Sequence, residues 1–336
     1  MAGLKAATAK GRQVKAARYD RTGPASEVLR VAEVERPEPG AGQVRVRVAL
    51  SGINPTDVKS RGGLTPRPIE GFQIPHHDGA GVIEAVGAEV DPARIGERVW
   101  LWFAATGQPW GTAAEWTIVP AARAVPLPDG ALFELGACLG VPAMTAHRCL
   151  FADGPVEDRT VLVAGGAGAV GHYAIELAKF AGARVVATVS NEQKAALARQ
   201  AGADEVVNYR DPDALDQVRT FAEQVDRIVE VNLGANLDLD LAVSGPQTVV
   251  VTYAATPQDP VLPIRRCMTA NVTLRFVLLY GVPQSALSRA TQDITQALAA
   301  GALTELPLHR YPLDDIVAAH EAVESGITGK VVLDIP

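Results

Sequence analysis

Val161-Leu-Val-Ala-Gly-Gly-Ala-Gly-Ala-Val-Gly171 decides the fold of this chain. The unbroken apolar run Thr160–Gly165 reads as a fully buried strand, and Ala169–Phe180 reads as the helix that follows it. Between them, Gly166-x-Gly168-x-x-Gly171 supplies the strand–turn–helix context in which such a motif binds a dinucleotide. Glycine lets the backbone turn tightly and approach a pyrophosphate, which the N–H groups and positive dipole end of the helix then receive. Gly171, one turn in, permits close contact between helix and sheet.

Outward from this loop, helical patterning over Phe133–Phe151 precedes it, and strand and helix candidates alternate after it. The strands are Arg184–Val189, Glu205–Asn208, Asp226–Val231, Thr248–Tyr253 and Val272–Leu278. Strands apolar throughout and spaced by helix-length segments indicate a parallel sheet covered on both faces, here a complete doubly wound α/β fold. Towards the N-terminus the texture is β-rich. Gln43–Leu50 alternates, with Val44, Val46, Val48 and Leu50 on one face and Arg45 and Arg47 on the other. Short apolar runs at Gly81–Val86, Arg98–Phe103 and Ala114–Val119 are separated by Gly- and Pro-rich turns, as in a compact barrel. Near the end, Ile316, Val317, His320 and Val323 give Leu313–Glu324 an amphipathic helical face, and Val331–Ile335 reads as one more strand. That last piece should pack back on the barrel. The expected division is residues 1–130 with 282–336 as a discontinuous barrel domain, and 131–281 as the dinucleotide domain.

The 336 residues carry a net charge of −7, which argues against nucleic acid as a partner, since phosphate binding needs a concentrated basic face. No run approaches the roughly 20 apolar residues of a membrane span. Met1–Arg12 is basic and Ala-rich without the apolar core of a secretory signal, and reads as a loose tail. Cys138, Cys149 and Cys267 form no C-x-x-C pair. They read as buried thiols in a reducing compartment, so a cytoplasmic location is the expectation.

The second strand indicates which dinucleotide. NAD sites place an Asp or Glu at its tip, about 20 residues after the loop, to take the ribose 2′-OH. Here Ser190 holds that tip and the acid Glu192 comes two residues later. Lys194 lies one turn along the next helix and Tyr209 ends the third strand. Two hydroxyls and a cation suit a 2′-phosphate that a carboxylate would repel, and the expected cofactor is NADPH.

Several further motifs stand in one order: Ser51-Gly-Ile-Asn-Pro-Thr-Asp57, Pro75-His-His-Asp-Gly-Ala-Gly81, Gly96-Glu-Arg-Val99, Thr112-Ala-Ala-Glu115, the glycine loop, Asn208-Tyr209 and Gly329-Lys-Val-Val-Leu333. With them the chain, from about residue 14 on, resembles the medium-chain dehydrogenase/reductase superfamily, in its zinc-independent quinone oxidoreductase (zeta-crystallin-like) branch. The resemblance implies a GroES-like barrel domain plus a Rossmann domain, with the active site in the cleft between them. It implies that Asn54 falls at the nicotinamide side of that cleft and that Thr145 lies near the carboxamide. Ala167, Gly168, Ala169 and Val170 would cover the pyrophosphate. Tyr253-Ala254 and Phe276-Val277-Leu278 would line the nicotinamide end, Lys330 would approach the cofactor, and Asn236 is a weaker carry-over.

Departures from the family's pattern matter. Where zinc-dependent members have Gly-His-Glu, this chain has His76-His77-Asp78, so His77 matches a former ligand position. Asn54 replaces the first thiolate, and a lone His does not hold a catalytic zinc. No metal is expected. Lys59 and Thr65 stand where many quinone reductases carry tyrosines; Lys59 reads either as a surface residue or as a group assisting cofactor or substrate oxygen. The expected reaction is hydride transfer to a quinone or related conjugated carbonyl, with the Asn54 amide setting an oxygen and His77 as a proton relay or, equally, a structural histidine. Two other readings stand beside it: a C=C reductase for 2-alkenals, enones or enoyl thioesters, and a non-catalytic NADPH-binding sensor or crystallin-like structural protein. Val272–Leu278, read as the last strand, suggests a homodimer through the sheet edge.

Overall fold

The alternation that begins at Val44 builds a strand of eleven residues, and the first of two units forms around it. The computed structural model describes residues 12–65, 68–255 and 258–336. In chain order the first unit has β1 (Gln13–Arg18), α1 (Ala25–Val28), β2 (Arg30–Glu35), β3 (Gln43–Ile53), α2 (Pro55–Gly62), β4 (Asp78–Val86), β5 (Arg98–Leu101), β6 (Trp116–Pro120) and β7 (Ala124–Pro126). β3 pairs antiparallel with β4 along its length and with β6 over Gln43–Arg47. Val44, Val46, Ile83, Val99, Leu101 and Val119 close one core inside this sheet. Arg45 departs from the expected solvent face. It is buried because its guanidinium reaches the carboxylates of Glu38 and Glu84 and the carbonyl of Pro37, so a paired cation replaces a solvated one. Arg47 is exposed as read.

The second unit holds α3 (Phe133–Phe151), β8 (Thr160–Ala164), α4 (Ala169–Phe180), β9 (Arg184–Val189), α5 (Glu192–Gln200), β10 (Glu205–Asn208), α6 (Ala214–Phe221), β11 (Val225–Glu230), α7 (Leu233–Val243), β12 (Ser244–Thr252), α8 (Ile264–Ala270), β13 (Thr273–Phe276) and α9 (Gln284–Ala299). The strands lie in the order β10-β9-β8-β11-β12-β13, all parallel. That is the doubly wound order 3-2-1-4-5-6, which reverses direction between β8 and β11. Leu162, Val186, Val207, Ile228 and Val250 line the core on one face.

Residues 282–309 pack with this second unit, not with the barrel. α9 buries Leu287, Ile294 and Leu298, and Asp293 on it meets His147 of α3 at 2.8 Å. Beyond it, Thr304 ties back to Glu176 of α4 through its N–H and its hydroxyl. The chain returns to the first unit at Arg310. There β14 (Leu308–Pro312), α10 (Ile316–Glu324) and β15 (Lys330–Asp334) finish the fold, and β15 pairs antiparallel with β3, Val331 opposite Ile53. Cys138 and Cys149 are buried, whereas Cys267 on α8 is only half-buried. Burial pushes the Cys149 thiol up to about 12. Of the N-terminal tail, residues 1–11 lie outside the described residues. No described helix is long and apolar enough to cross a membrane.

At the β8–α4 turn Gly165 has φ +70°, and a Cβ on Gly171 would stand 2.3 Å from the Gly165 carbonyl oxygen. Backbone faces backbone there, so neither side can yield alone. Gly171→Ala should therefore destabilise the fold by about 1–3 kcal/mol, read as a lower urea midpoint with unchanged slope.

Candidate functional site

Of the residues expected at a nucleotide, those of the glycine loop, Ser190, Lys194, Tyr209, Tyr253–Ala254 and Phe276–Leu278 lie in the second unit, around the carboxyl ends of its strands. Gly166 donates its N–H to Thr188 of β9, which pins the turn to the sheet. Gly168 caps α4, and Gly168–Val170 meet solvent while Ala167 is buried. The first N–H groups of α4 have no intrahelical partners by construction of a helix, and they face out at this point. Main chain alone can hold a pyrophosphate here.

One strand over, Val189 pairs with Asn208, and the Tyr209 N–H donates to the Val189 carbonyl at 3.0 Å. Ser190 and Tyr209, the next residues on β9 and β10, are therefore neighbours. Ser190 is buried and Tyr209 half-exposed. Asn191 caps α5 by accepting the Lys194 N–H at 2.9 Å, which fixes Lys194 in the first turn beside them. Arg210, absent from the sequence-based set, holds its guanidinium 5.8 Å from the Tyr209 ring centre. A second cation therefore belongs to this edge.

At the other half of the sheet, β12 and β13 end in register, Thr252 opposite Phe276, and Val277 donates to the Thr252 carbonyl. Tyr253-Ala254 and Phe276–Leu278 thus lie side by side, with Phe276 and Leu278 exposed. Desolvation first, then Cys149 and Glu230, push the Tyr253 phenol up, so it stays neutral. Asn236, on the second turn of α7, donates its amide to Glu230 Oε1 at 2.9 Å. Thr145 on α3 and Lys330 at the start of β15 are both buried.

Asn54, His77 and Lys59 belong to the first unit. Asn54 precedes α2, is buried, takes Asp57 Oδ2 with its N–H and donates its side-chain amide to Asp78 Oδ2 at 2.7 Å. That nitrogen is committed to Asp78. His77 Nε2 stands 3.9 Å from Asp57 Oδ1, its Nδ1 3.3 Å from Thr106 Oγ1, and its ring packs edge-on to Phe103. Asp57, His76 and His77 line a recess of about 30 Å³ with Tyr19, Gln73 and Ala105. Lys59 is exposed on α2. Behind the recess runs a buried chain. Thr112 Oγ1 donates to the Asp78 carbonyl, Ser51 Oγ meets both Thr112 and His76 Nδ1, and His76 Nε2 meets His320 Nε2 at 2.9 Å. His76 has φ +79°, an uncommon backbone state for a residue with a side chain.

Among the described residues no group of three or more His, Cys, Asp or Glu is placed to hold a metal ion. The first thiolate position of a zinc site carries an amide that donates a hydrogen bond, so this donor set does not fit zinc.

Two domain families match the chain: alcohol dehydrogenase GroES-like domain over residues 40–129, and zinc-binding dehydrogenase over residues 169–298. A curated quinone oxidoreductase of Lama guanicoe is 30% identical over 316 residues, covering 91% of this chain and 93% of the relative. Among solved structures, a mycobacterial protein complexed with NADPH is similar at 30% identity and TM-score 0.81, covering 95% of this chain and 99% of that one. A quinone oxidoreductase of Pseudomonas syringae pv. Tomato is similar at 27% identity and TM-score 0.82, covering 96% and 99%.

Sequence reasoning missed Arg210, the His76–His320 chain and a carboxyl pair, Glu230 with Asp240. In the sequence His320 reads only as part of an amphipathic stripe, and a histidine among apolar helix positions is the available signal. Burial, then the nearby Arg61, pushes His320 down to about 3 in the folded chain, against about 6.5 unfolded. As pH falls between those values the unfolded chain binds a proton that the folded chain refuses, so stability drops with acid. His320→Gln keeps a partner for His76 without titrating, and its unfolding free energy should fall less steeply between about pH 6.5 and about pH 3, measured by urea titration.

Proposed function

The chain belongs to the quinone oxidoreductase family of the medium-chain dehydrogenases/reductases, and from that premise we propose that it is a metal-independent, NADPH-dependent reductase of quinones and related conjugated carbonyl compounds. As a quinone-reductase-like enzyme it uses NAD(P)H. The choice of NADPH is carried by one observation: Ser190, Tyr209, Lys194 and Arg210 share the β9–β10 edge, where an NAD site would hold a carboxylate. Hydroxyls and cations there bind a phosphate monoester and gain most with the extra charge.

When bound, the dinucleotide supplies the hydride. This chain's residues bind, orient and dry the reaction. Gly166 and Gly168 shape the turn with their own N–H groups bonded within the second unit, and the main-chain N–H groups of Ala169, Val170 and Gly171 in the first turn of α4 hold the pyrophosphate. Thr145, Asn236, Tyr253, Ala254, Phe276, Val277, Leu278 and Lys330 are assigned to the cofactor on family resemblance. Asn54 and His77 are assigned to the reacting end, with Lys59 beside them on α2. Asp78 and Asp57 restrict the rotation of those two groups, so any oxygen they meet is met by a fixed dipole rather than by mobile water. Without a Lewis acid, an acceptor activated by conjugation suits such a site, because the ring or enone spreads the incoming charge itself.

We also place the enzyme in the cytoplasm, on the ground that Cys138, Cys149 and Cys267 form no disulfide, and as a homodimer through β13, the terminal strand of the parallel sheet. A sedimentation mass near twice 35.3 kDa supports the dimer; 35.3 kDa itself counts against it.

Steady-state oxidation of NADPH with a panel of quinones, 2-alkenals and enoyl thioesters tests the activity. The expected order puts quinones first in kcat/KM. Alkenals or thioesters ahead of quinones would move the assignment to C=C reduction, and no turnover with any acceptor would favour a sensor. Ser190→Asp should raise the KM for NADPH at least about tenfold and leave that for NADH within about threefold, because the new charge opposes only the 2′-phosphate.

A further inference from the structure

Glu230 ends β11, the first strand past the point where the sheet order reverses, and its side chain is fully buried. Its Oε1 accepts the Asn232 N–H and the Asn236 amide, so two groups at the mouth of α7 depend on it. Its Oε2 is buried with no hydrogen-bond donor among the described residues. Four residues beyond Asn236, on the same face of α7, stands Asp240, also fully buried, and neither of its carboxyl oxygens meets a donor among the described residues. The two carboxyl groups face one another. One proton accounts for two of these three oxygens, an Asp240 oxygen that carries it and Glu230 Oε2 that accepts it, since a protonated carboxyl donates where a carboxylate only accepts.

We propose that Glu230 and Asp240 share a proton, and that this pair is the positioning device that holds Asn232 and Asn236 at the nucleotide crevice. The proposal rests on the NADPH-binding reading above and adds to it two residues that touch no cofactor. Glu230 is the carboxylate of the pair, with the amide donors on Oε1 and Asp240 O–H on Oε2. Asp240 is the acid. Removal of that proton leaves two buried like charges, and α7 must then shift at its N-terminus to admit water. The Asn236 amide moves with it.

Burial first, then the charge of Glu230, pushes Asp240 up to about 9. Other groups that face the pair do not change charge before it does: Tyr253 and Cys149 are both pushed up by burial, Cys149 to about 12. Arg227, on β11, turns its guanidinium to the carbonyls of Cys149 and Leu150 at the end of α3. Arg219 of α6 donates to the Ala242 carbonyl, with Asp216 one turn before it, and Arg266 of α8, next to Arg265, pairs with Asp238 on the exposed side of α7.

Asp240→Asn retains a donor for Glu230 Oε2 and cannot titrate; Asp240→Leu removes the donor. The measurement is NADPH affinity by fluorescence from about pH 6 to about pH 10, with the infrared carboxylic C=O band of the cofactor-free protein near neutrality. Wild type should lose affinity about tenfold as pH rises through the titration of Asp240, and Asp240→Asn should lose none of it. Asp240→Leu should bind about tenfold more weakly than Asp240→Asn across the range. A protonated-carboxyl band should be present in wild type, shift in heavy water and vanish in Asp240→Asn. A band unchanged by Asp240→Asn, or parallel pH profiles for the two proteins, would overturn the proposal. Failure of wild type to bind either dinucleotide would instead sink the functional reading, and the infrared comparison would still decide whether the proton is shared.

Discussion

The approach of one backbone to another at the β8–α4 turn is the constraint from which the rest of the second unit follows. With the Gly165 carbonyl lying where a Gly171 side chain would begin, helix and sheet meet closer than any side chain allows. The start of α4 is thereby aimed at the carboxyl edge of the parallel strands. Register then places the other residues proposed for the nucleotide: Ser190 and Tyr209 by the β9–β10 pairing, Tyr253 and Phe276 by the β12–β13 pairing. A change in the turn would therefore be felt along the whole edge, out to an exposed residue such as Tyr209.

Both units also invest buried polar groups in holding a few side chains still. In the first, the chain Thr112–Ser51–His76–His320 runs beneath the recess that His76 and His77 line, and Asp78 and Asp57 restrain Asn54 and His77. In the second, Glu230 gathers the amides at the start of α7. Such networks specify one arrangement because the alternatives leave a buried donor or acceptor without a partner, at a cost of about 1–3 kcal/mol each. For a reaction whose chemistry resides in the cofactor, fixed orientation is the contribution the chain can make.

Legibility in the sequence followed the kind of force at work. α3 and α4 appear with the boundaries their patterns gave, and so do β9 and β10, since apolar periodicity and glycine breaks are local signals. The return of the chain to the barrel at Arg310 was not legible at residue 282, because nothing local in Gln284–Ala299 says which unit its apolar face will cover. Arg45 looked solvated because its partners Glu38 and Glu84 are seven residues before and thirty-nine after it. The motif residues Asn54 and His77 were legible as chemistry-bearing, but the carboxylates Asp78 and Asp57 that restrain them emerge only when β4 and α2 are placed. Asp240 left a trace, a charge among Leu233, Leu237 and Leu241 on a buried helix face, whose meaning needed the partner at Glu230.

The central claim is electrostatic: the edge formed by Ser190, Lys194, Tyr209 and Arg210 recognises a 2′-phosphate. Isothermal titration of the unmodified protein with NADPH and with NADH, at low and at high salt, measures that recognition directly. The account requires NADPH to bind at least about tenfold more tightly at low salt, with the ratio narrowing as screening increases. Equal affinities for the two dinucleotides, or a preference that salt leaves untouched, would contradict it.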